Sequence, residues 1–218
     1  MENRFPDKSP LIAPELEQQL LPLLAQLNQD VQLICLADDG PRSREMGCFL
    51  NHLVRLSPRL SCSFFRPEEK PELAARMDGS LLPATGICAG ESPRMIFHGI
   101  PGGKEIGSFA TALLNAGRAV KPLDKYTMKD IGRIRRPMEL QVCVSLACHH
   151  CAQLVAAAQR IAWENPLVTA HMIDANLYPE LVEKYQIERV PLLIVDREQS
   201  YPGGKTLAEL TTLLARLK

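Results

Sequence analysis

Aromatic side chains are scarce, at 5% with a single tryptophan, which argues against a base-stacking surface for single-stranded nucleic acid. A charge surplus is also missing. Lys+Arg and Asp+Glu both number 25, so neither nucleic acid nor an anionic membrane has a basic face to meet. No run approaches the roughly 20 apolar residues of a membrane span. Residues 1–14 carry Pro6, Pro10 and Pro14 and lack the apolar centre of a secretory signal. No G-x-G-x-x-G pattern occurs, and with it the usual signature of a dinucleotide site is lost. These absences predict a cytoplasmic protein with a frayed N-terminal tail and no nucleic-acid or membrane partner.

The 218 residues, 46% of them apolar, suit two units of about 100 residues, each with a core of its own. Seven cysteines are scattered through apolar runs, an odd number that does not read as a secreted disulfide framework. Cys35 and Cys143 sit inside strand-like runs and read as small core residues. Cys148 and Cys151 stand apart because of their tight spacing.

The chain repeats itself. Laying QLICLADDGPRS under LQVCVSLACHHC puts Cys35 on Cys143, and the same 108-residue offset puts Pro83 on Pro191. The string PGGK occurs at Pro101–Lys104 and again at Pro202–Lys205. Three anchors in one order define a duplication, and the predicted elements agree with it. The first copy reads as a helix over Glu15–Leu27, a strand over Val31–Leu36 and a helix over Arg42–Leu56. A strand over Leu60–Phe65, a helix over Glu68–Met77, a strand pair over Ala84–Cys88 and Arg94–Phe97, and a helix over Lys104–Asn115 follow. The second copy reads as a helix over Asp124–Ile134, a strand over Glu139–Val144, a helix over His149–Trp163 and a strand over Val168–Ile173. A helix over Tyr178–Tyr185, a hairpin of Leu192–Val195 with Gln199–Tyr201, and a helix over Thr206–Leu217 complete it, with Thr206 and Glu209 as a capping box. The order predicts an α/β fold in two tandem units, each a four-stranded mixed sheet flanked by helices. The expected boundaries are a tail at 1–13, a first unit at 14–117 and a second at 118–218.

Cys148-His149-His150-Cys151 lies where a strand gives way to a helix. The free N–H groups and positive end of a helix stabilise a thiolate. One helical turn separates the two sulfurs, within disulfide reach. Cys148 can attack a partner disulfide and Cys151 can resolve the mixed disulfide. His149 flanks the pair, and His150 can lend positive charge or a hydrogen-bond donor to the first sulfur. Pro191, after Val190, opens a strand where a cis bond would bring the Val190 backbone beside the cysteines and offer it to an extended partner. Zinc, an iron–sulfur cluster and an inert disulfide are the competing readings. Four adjacent residues cannot surround an ion, and His171 is the one other candidate in this half. In the first copy Gly40 and Ser43 stand where the cysteines would be.

From about residue 14 to the end, the pattern resembles the N-terminal domain of the flavoprotein component of alkyl hydroperoxide reductase. The matching features are VQLICLADDG with its lost site, the helix near Asp124–Ile134, SLACHHC, IDAN, VPLLIVD and the two PGGK turns. The resemblance implies two fused thioredoxin-like folds and a thiol–disulfide electron relay. Electrons would come from NAD(P)H through FAD on a thioredoxin-reductase-like flavoprotein, and pass to a peroxiredoxin or another protein disulfide. It also implies that Glu105, in the first copy, lies close to the dithiol and modulates Cys148 or accepts a proton. That family usually carries Cys-His-Asn-Cys-Pro, whereas this chain has His150 and Ala152. Val142 occupies the place six residues before Cys148 where thioredoxin usually has a buried acid. With no glycine-rich loop, no cofactor is expected on this chain, so it reads as a free-standing carrier or a separated module. A non-catalytic docking platform and a glutathione-linked, glutaredoxin-like protein are the alternatives.

Overall fold

The computed structural model describes residues 5–90, 92–118 and 120–217. Its elements in the first half are α1 (Pro14–Leu24), β1 (Val31–Leu36), α2 (Pro41–Arg55), β2 (Leu60–Phe65), α3 (Pro71–Arg76), β3 (Ala84–Ala89), β4 (Ser92–His98) and α4 (Ile106–Gly117). The second half holds α5 (Lys125–Ile131), β5 (Met138–Val144), α6 (Cys151–Glu164), β6 (Val168–Asp174), α7 (Pro179–Tyr185), β7 (Leu192–Val195), β8 (Gln199–Pro202) and α8 (Leu207–Leu214). Local chemistry sets several ends. Asp124 caps α5 by accepting from the Tyr126 and Thr127 amides. Thr206 and Glu209 form the expected capping box of α8. Proline stands in the first turn of α1, α2, α3 and α7, where no amide is needed.

The strands do not form two sheets. They make one eight-stranded sheet in the order β2-β1-β3-β4-β6-β5-β7-β8. The halves meet where β4 runs parallel to β6, with Met95 opposite Ala170 and His98 opposite Ile173. Period-two patterning identifies the buried face of a strand but not its edge neighbour, so the expectation of two sheets missed this seam.

The core follows the sheet. One buried cluster runs through both halves, from Leu20, Phe49 and Leu113 to Val142, Leu154 and Leu210. Phe109 on α4 is central to it, with its ring 5.0 Å from that of Phe97 on β4 and 6.0 Å from that of Phe49. Truncating such a buried ring costs about 3–5 kcal/mol. The separate cores expected for each half give way to this shared one, because closing the sheet at β4–β6 makes one apolar face continuous across the halves. The opposite face is covered by α3 and α7 over two smaller clusters.

One further feature crosses the seam. His98 and His171 stack with ring centroids 5.3 Å apart, and His98 Nε2 lies 3.0 Å from His171 Nδ1. Burial holds His98 down at about 4 against the bond to the Leu81 carbonyl, and burial with its neighbour His98 holds His171 well below the imidazole range. The described part of the N-terminal tail is not frayed. Phe5 and Ile12 are buried, the Asn51 side-chain amide donates to the Phe5 carbonyl, and the Ser9 amide donates to His52 Nδ1. Two spaced apolar residues suffice to hold that stretch to α2, a signal that composition hides. Residues 1–4 of the expected tail lie outside the described residues.

Candidate functional site

The β5–α6 connection builds the site. Ser145–Cys148 closes as a turn, with the Cys148 amide donating to the Ser145 carbonyl at 2.9 Å. His149 and His150 continue it, so α6 begins at Cys151, two residues later than its pattern predicts. His150 is the N-cap and makes no side-chain capping bond, leaving the first-turn amides of α6 free of a side-chain cap. Cys148 and Cys151 are joined as a disulfide with Cα atoms 5.6 Å apart. Cys151 is buried, Cys148 is half-buried, and both histidines are exposed. Exposure is therefore asymmetric, with Cys148 the more accessible residue of the pair and Cys151 buried.

Val190 and Pro191 border the pair. The Val190–Pro191 peptide is cis, and Cys148 Sγ lies 3.9 Å from the Val190 carbonyl oxygen. The matched bond of the first half, Leu82–Pro83, is cis as well. Glu105 enters from the first half, in the 3-10 turn Gly103–Glu105 that follows PGG and lies against α6. Its carboxyl is fully buried. Ser108 Oγ sits 2.5 Å from Oε2, and Oε1 has no hydrogen-bond partner among the described residues. Burial lifts this carboxyl above the usual range, the Ser108 bond opposes the lift, and the nearby Asp174 charge adds to it.

Cys35, Cys88 and Cys143 are buried and behave as core, while Cys48 and Cys62 are half-buried. Burial pushes Cys35 and Cys143 up to about 12, far from a reactive thiolate. Among the described residues no group of three or more His, Cys, Asp or Glu could hold a metal ion, and His171 is engaged with His98 instead. The strand-to-helix turn after β1 carries Asp38 and Asp39, whose charges do not fit the pyrophosphate of a flavin or nicotinamide dinucleotide.

An apolar groove of about 540 Å³ runs from the first half's lost site to the dithiol loop, lined by Arg42, Phe49, Pro83, Gly103, Leu146 and Asp174 among others. Reading the two copies separately could not place Leu146 and Asp174 opposite the first copy. The repeated PGGK was the signal available for the contact at Leu146, and nothing in the pattern gave its direction.

Fold and site together define a double thioredoxin-fold protein with one disulfide-forming pair. Residues 138–215 match the thioredoxin domain family. The chain is 28% identical over 206 residues to the alkyl hydroperoxide reductase protein AhpF of Staphylococcus aureus (strain NCTC 8325 / PS 47), covering 94% of this chain and 38% of that protein. It therefore spans well under half of that relative's length. The crystal structure of the NTD_N/C domain of alkylhydroperoxide reductase AhpF from Enterococcus faecalis (V583) superposes with a TM-score of 0.86 at 32% identity, covering 93% of this chain and 99% of that one. A protein disulfide oxidoreductase from Aeropyrum pernix k1 shares the fold, with a TM-score of 0.83 at 16% identity over 94% of this chain and 92% of its own. The chain belongs to the family of the N-terminal domain of the alkyl hydroperoxide reductase protein AhpF.

Proposed function

We propose that Cys148 and Cys151 are a catalytic dithiol that relays two electrons from a thioredoxin-reductase-like flavoprotein to the disulfide of a peroxiredoxin or another protein. The observation that carries this reading is the pairing of a more accessible Cys148 with a buried Cys151 at the uncapped start of α6. In the reduced chain the Cys148 thiolate attacks the partner disulfide, forming a mixed disulfide and releasing one partner thiolate. Cys151, losing its proton, then attacks Cys148 Sγ. The mixed disulfide breaks, the second partner thiolate leaves and takes up a proton, and the Cys148–Cys151 bond closes. The partner gains two electrons and this chain loses them. A flavoprotein dithiol reverses the last state, with FAD and NAD(P)H held on that partner.

Glu105 is the candidate acceptor for the Cys151 proton. Its raised affinity for protons suits a group that must take one up in a dry site. The Val190 carbonyl and Pro191 border the seat of an extended partner segment, and His149 and His150 form its exposed rim. The units 14–117 and 118–218 divide the labour, the first supporting and the second reacting, and the cytoplasm is the compartment that suits such a relay.

A redox titration tests this. Thiol labelling in dithiothreitol or glutathione buffers should give one reversible two-electron transition at about −120 to −270 mV, the span of known dithiol oxidoreductases. A pair that never re-forms, or that stays oxidised far below that span, would overturn the relay in favour of an inert scaffold.

A further inference from the structure

The two PGGK turns find a common purpose around the dithiol. In the second half, the Gly203 amide donates to the Pro191 carbonyl at 3.0 Å, and a Cβ on Gly204 would stand 3.9 Å from the His150 carbonyl oxygen. In the first half the turn reaches across to the other copy. The Lys104 amide donates to the Leu146 carbonyl at 2.9 Å. Gly103 takes φ of +54°, and a Cβ there would lie 2.4 Å from that same carbonyl oxygen. The left-handed backbone favours glycine and the close approach to a backbone oxygen requires it. Leu146 is a central residue of the Ser145–Cys148 turn, so this grip acts two residues from the attacking cysteine.

The lost site of the first half shows why the grip is needed. Asp38 matches Leu146 at the 108-residue offset. Asp38 fastens its own loop, accepting from Ser43 Oγ at 2.6 Å and from the Gly40 amide at 2.9 Å, while its own amide donates to Ser43 Oγ at 3.1 Å. Leu146 has no acceptor on its side chain, and Cys148 and Cys151 stand where Gly40 and Ser43 would be. The reactive loop has no such local lock and is held from outside.

We propose that Gly103 and Lys104 of the first half are positioning residues for Cys148, and that their hold on Leu146 sets the redox equilibrium of the Cys148–Cys151 pair. The proposal rests on the relay reading. Held in place, the turn keeps the two sulfurs at high effective concentration and favours the disulfide. Released, it lets them separate and favours the dithiol.

The test compares redox equilibrium constants of four full-length chains in dithiothreitol or glutathione buffers: the unaltered protein, Gly103→Ala, Gly103→Asn and Gly90→Ala. Asparagine tolerates the left-handed backbone but keeps the intruding Cβ, so it preserves the test if the alanine variant fails to fold. Gly90 has φ of +71° and, among the described residues, nothing within 4 Å of its would-be Cβ, so its alanine variant carries the backbone strain without the contact. Both Gly103 variants should shift the equilibrium about tenfold toward the dithiol, some 30 mV more oxidising, by the same factor at pH 6 and pH 8. The Gly90 variant should titrate as the unaltered protein does. Unshifted Gly103 variants beside a normally titrating parent would overturn the positioning role alone. So would an equal shift at Gly90, which would mean general strain, or a pH-dependent shift, which would mean action through Glu105. A parent that does not titrate would overturn the relay itself, and the positioning role with it.

Discussion

The turns after β1 and β5 sit in matching places of the two halves, each opposite a cis proline, yet they are secured in different ways. The first has a side-chain lock of its own, with the Asp38 carboxylate held below its usual range chiefly by the Ser43 hydroxyl and then by the Gly40 amide. The second has surrendered those bonding positions to two cysteines, and its Leu146 carbonyl is held by Lys104 of the other half. A reactive site carries residues chosen for chemistry, so the work of holding its loop moves elsewhere. The half without the CxxC pair thus supplies a contact to the reactive loop, a wall of the groove and the buried Glu105.

Removing the thiols should have the largest effect. Cys148→Ser and the double Cys148→Ser/Cys151→Ser variant should lower flavoprotein-driven disulfide reduction to background, at least a hundredfold, while Cys151→Ser should accumulate a mixed disulfide through Cys148 on non-reducing gels. Full transfer by the double variant would mean that the halves differ in docking, not in chemistry. The reverse change is to restore the pair in the first half with Gly40→Cys and Ser43→Cys. A Cβ at Gly40 meets only the flexible Asp38 carboxylate closely, at 2.9 Å, so the loop should accept it. Thiol counting should then find two additional reducible sulfurs per chain. If none oxidises, the backbone of the first half has drifted further from the second than their topology suggests.

Acid should expose the seam. His98 and His171 are held neutral in the fold, below the 6.5 of a free imidazole, so the unfolded chain takes up protons first as pH falls. Stability is complete above about 6.5 and should fall from there toward about 4, by up to ~1.4 kcal/mol per pH unit for each histidine. His171→Gln should roughly halve that slope in urea denaturation measured across pH, and an unchanged slope would show that the pair is not the acid-labile point.

Glu105 works in the opposite sense. Its folded affinity for protons is raised above the ordinary 4.5, so its stabilisation is complete below that unfolded value and is lost as pH rises through the folded one. Glu105→Gln should gain about 1 kcal/mol at pH 7 and nothing at pH 4. A loss at neutral pH would show that the carboxylate is satisfied. Smallest of all, Asp38→Ala should cost at most about 1 kcal/mol, by thermal unfolding, and leave the dithiol equilibrium unmoved. A shift there would join the two turns that the comparison separates.

Most of this architecture can be read along the chain, because strand and helix periodicities are local. Every strand expected from the pattern is present, and the duplication placed Pro83 and Pro191 in matching positions. Boundaries moved where local chemistry competes: α6 starts at Cys151 because the CHHC segment turns before it coils. Residues such as Phe5 and Ile12 were overlooked because isolated apolar positions in a polar, proline-bearing stretch carry no period.

By itself the sequence determined the pair of cysteines, their place at a helix start, the duplicated scaffold and the loss of the first site. Each of these rests on residue identity and spacing over a few turns of chain. Only the tertiary structure decided that β4 pairs with β6, that the two halves share one core, that His98 meets His171, and that Gly103 and Lys104 grip Leu146. The pairings among them join residues some forty to seventy-five positions apart, between halves whose local patterns are nearly the same. Repetition of pattern specifies each unit, but how two such units meet depends on which edges and faces remain to be buried once each has folded.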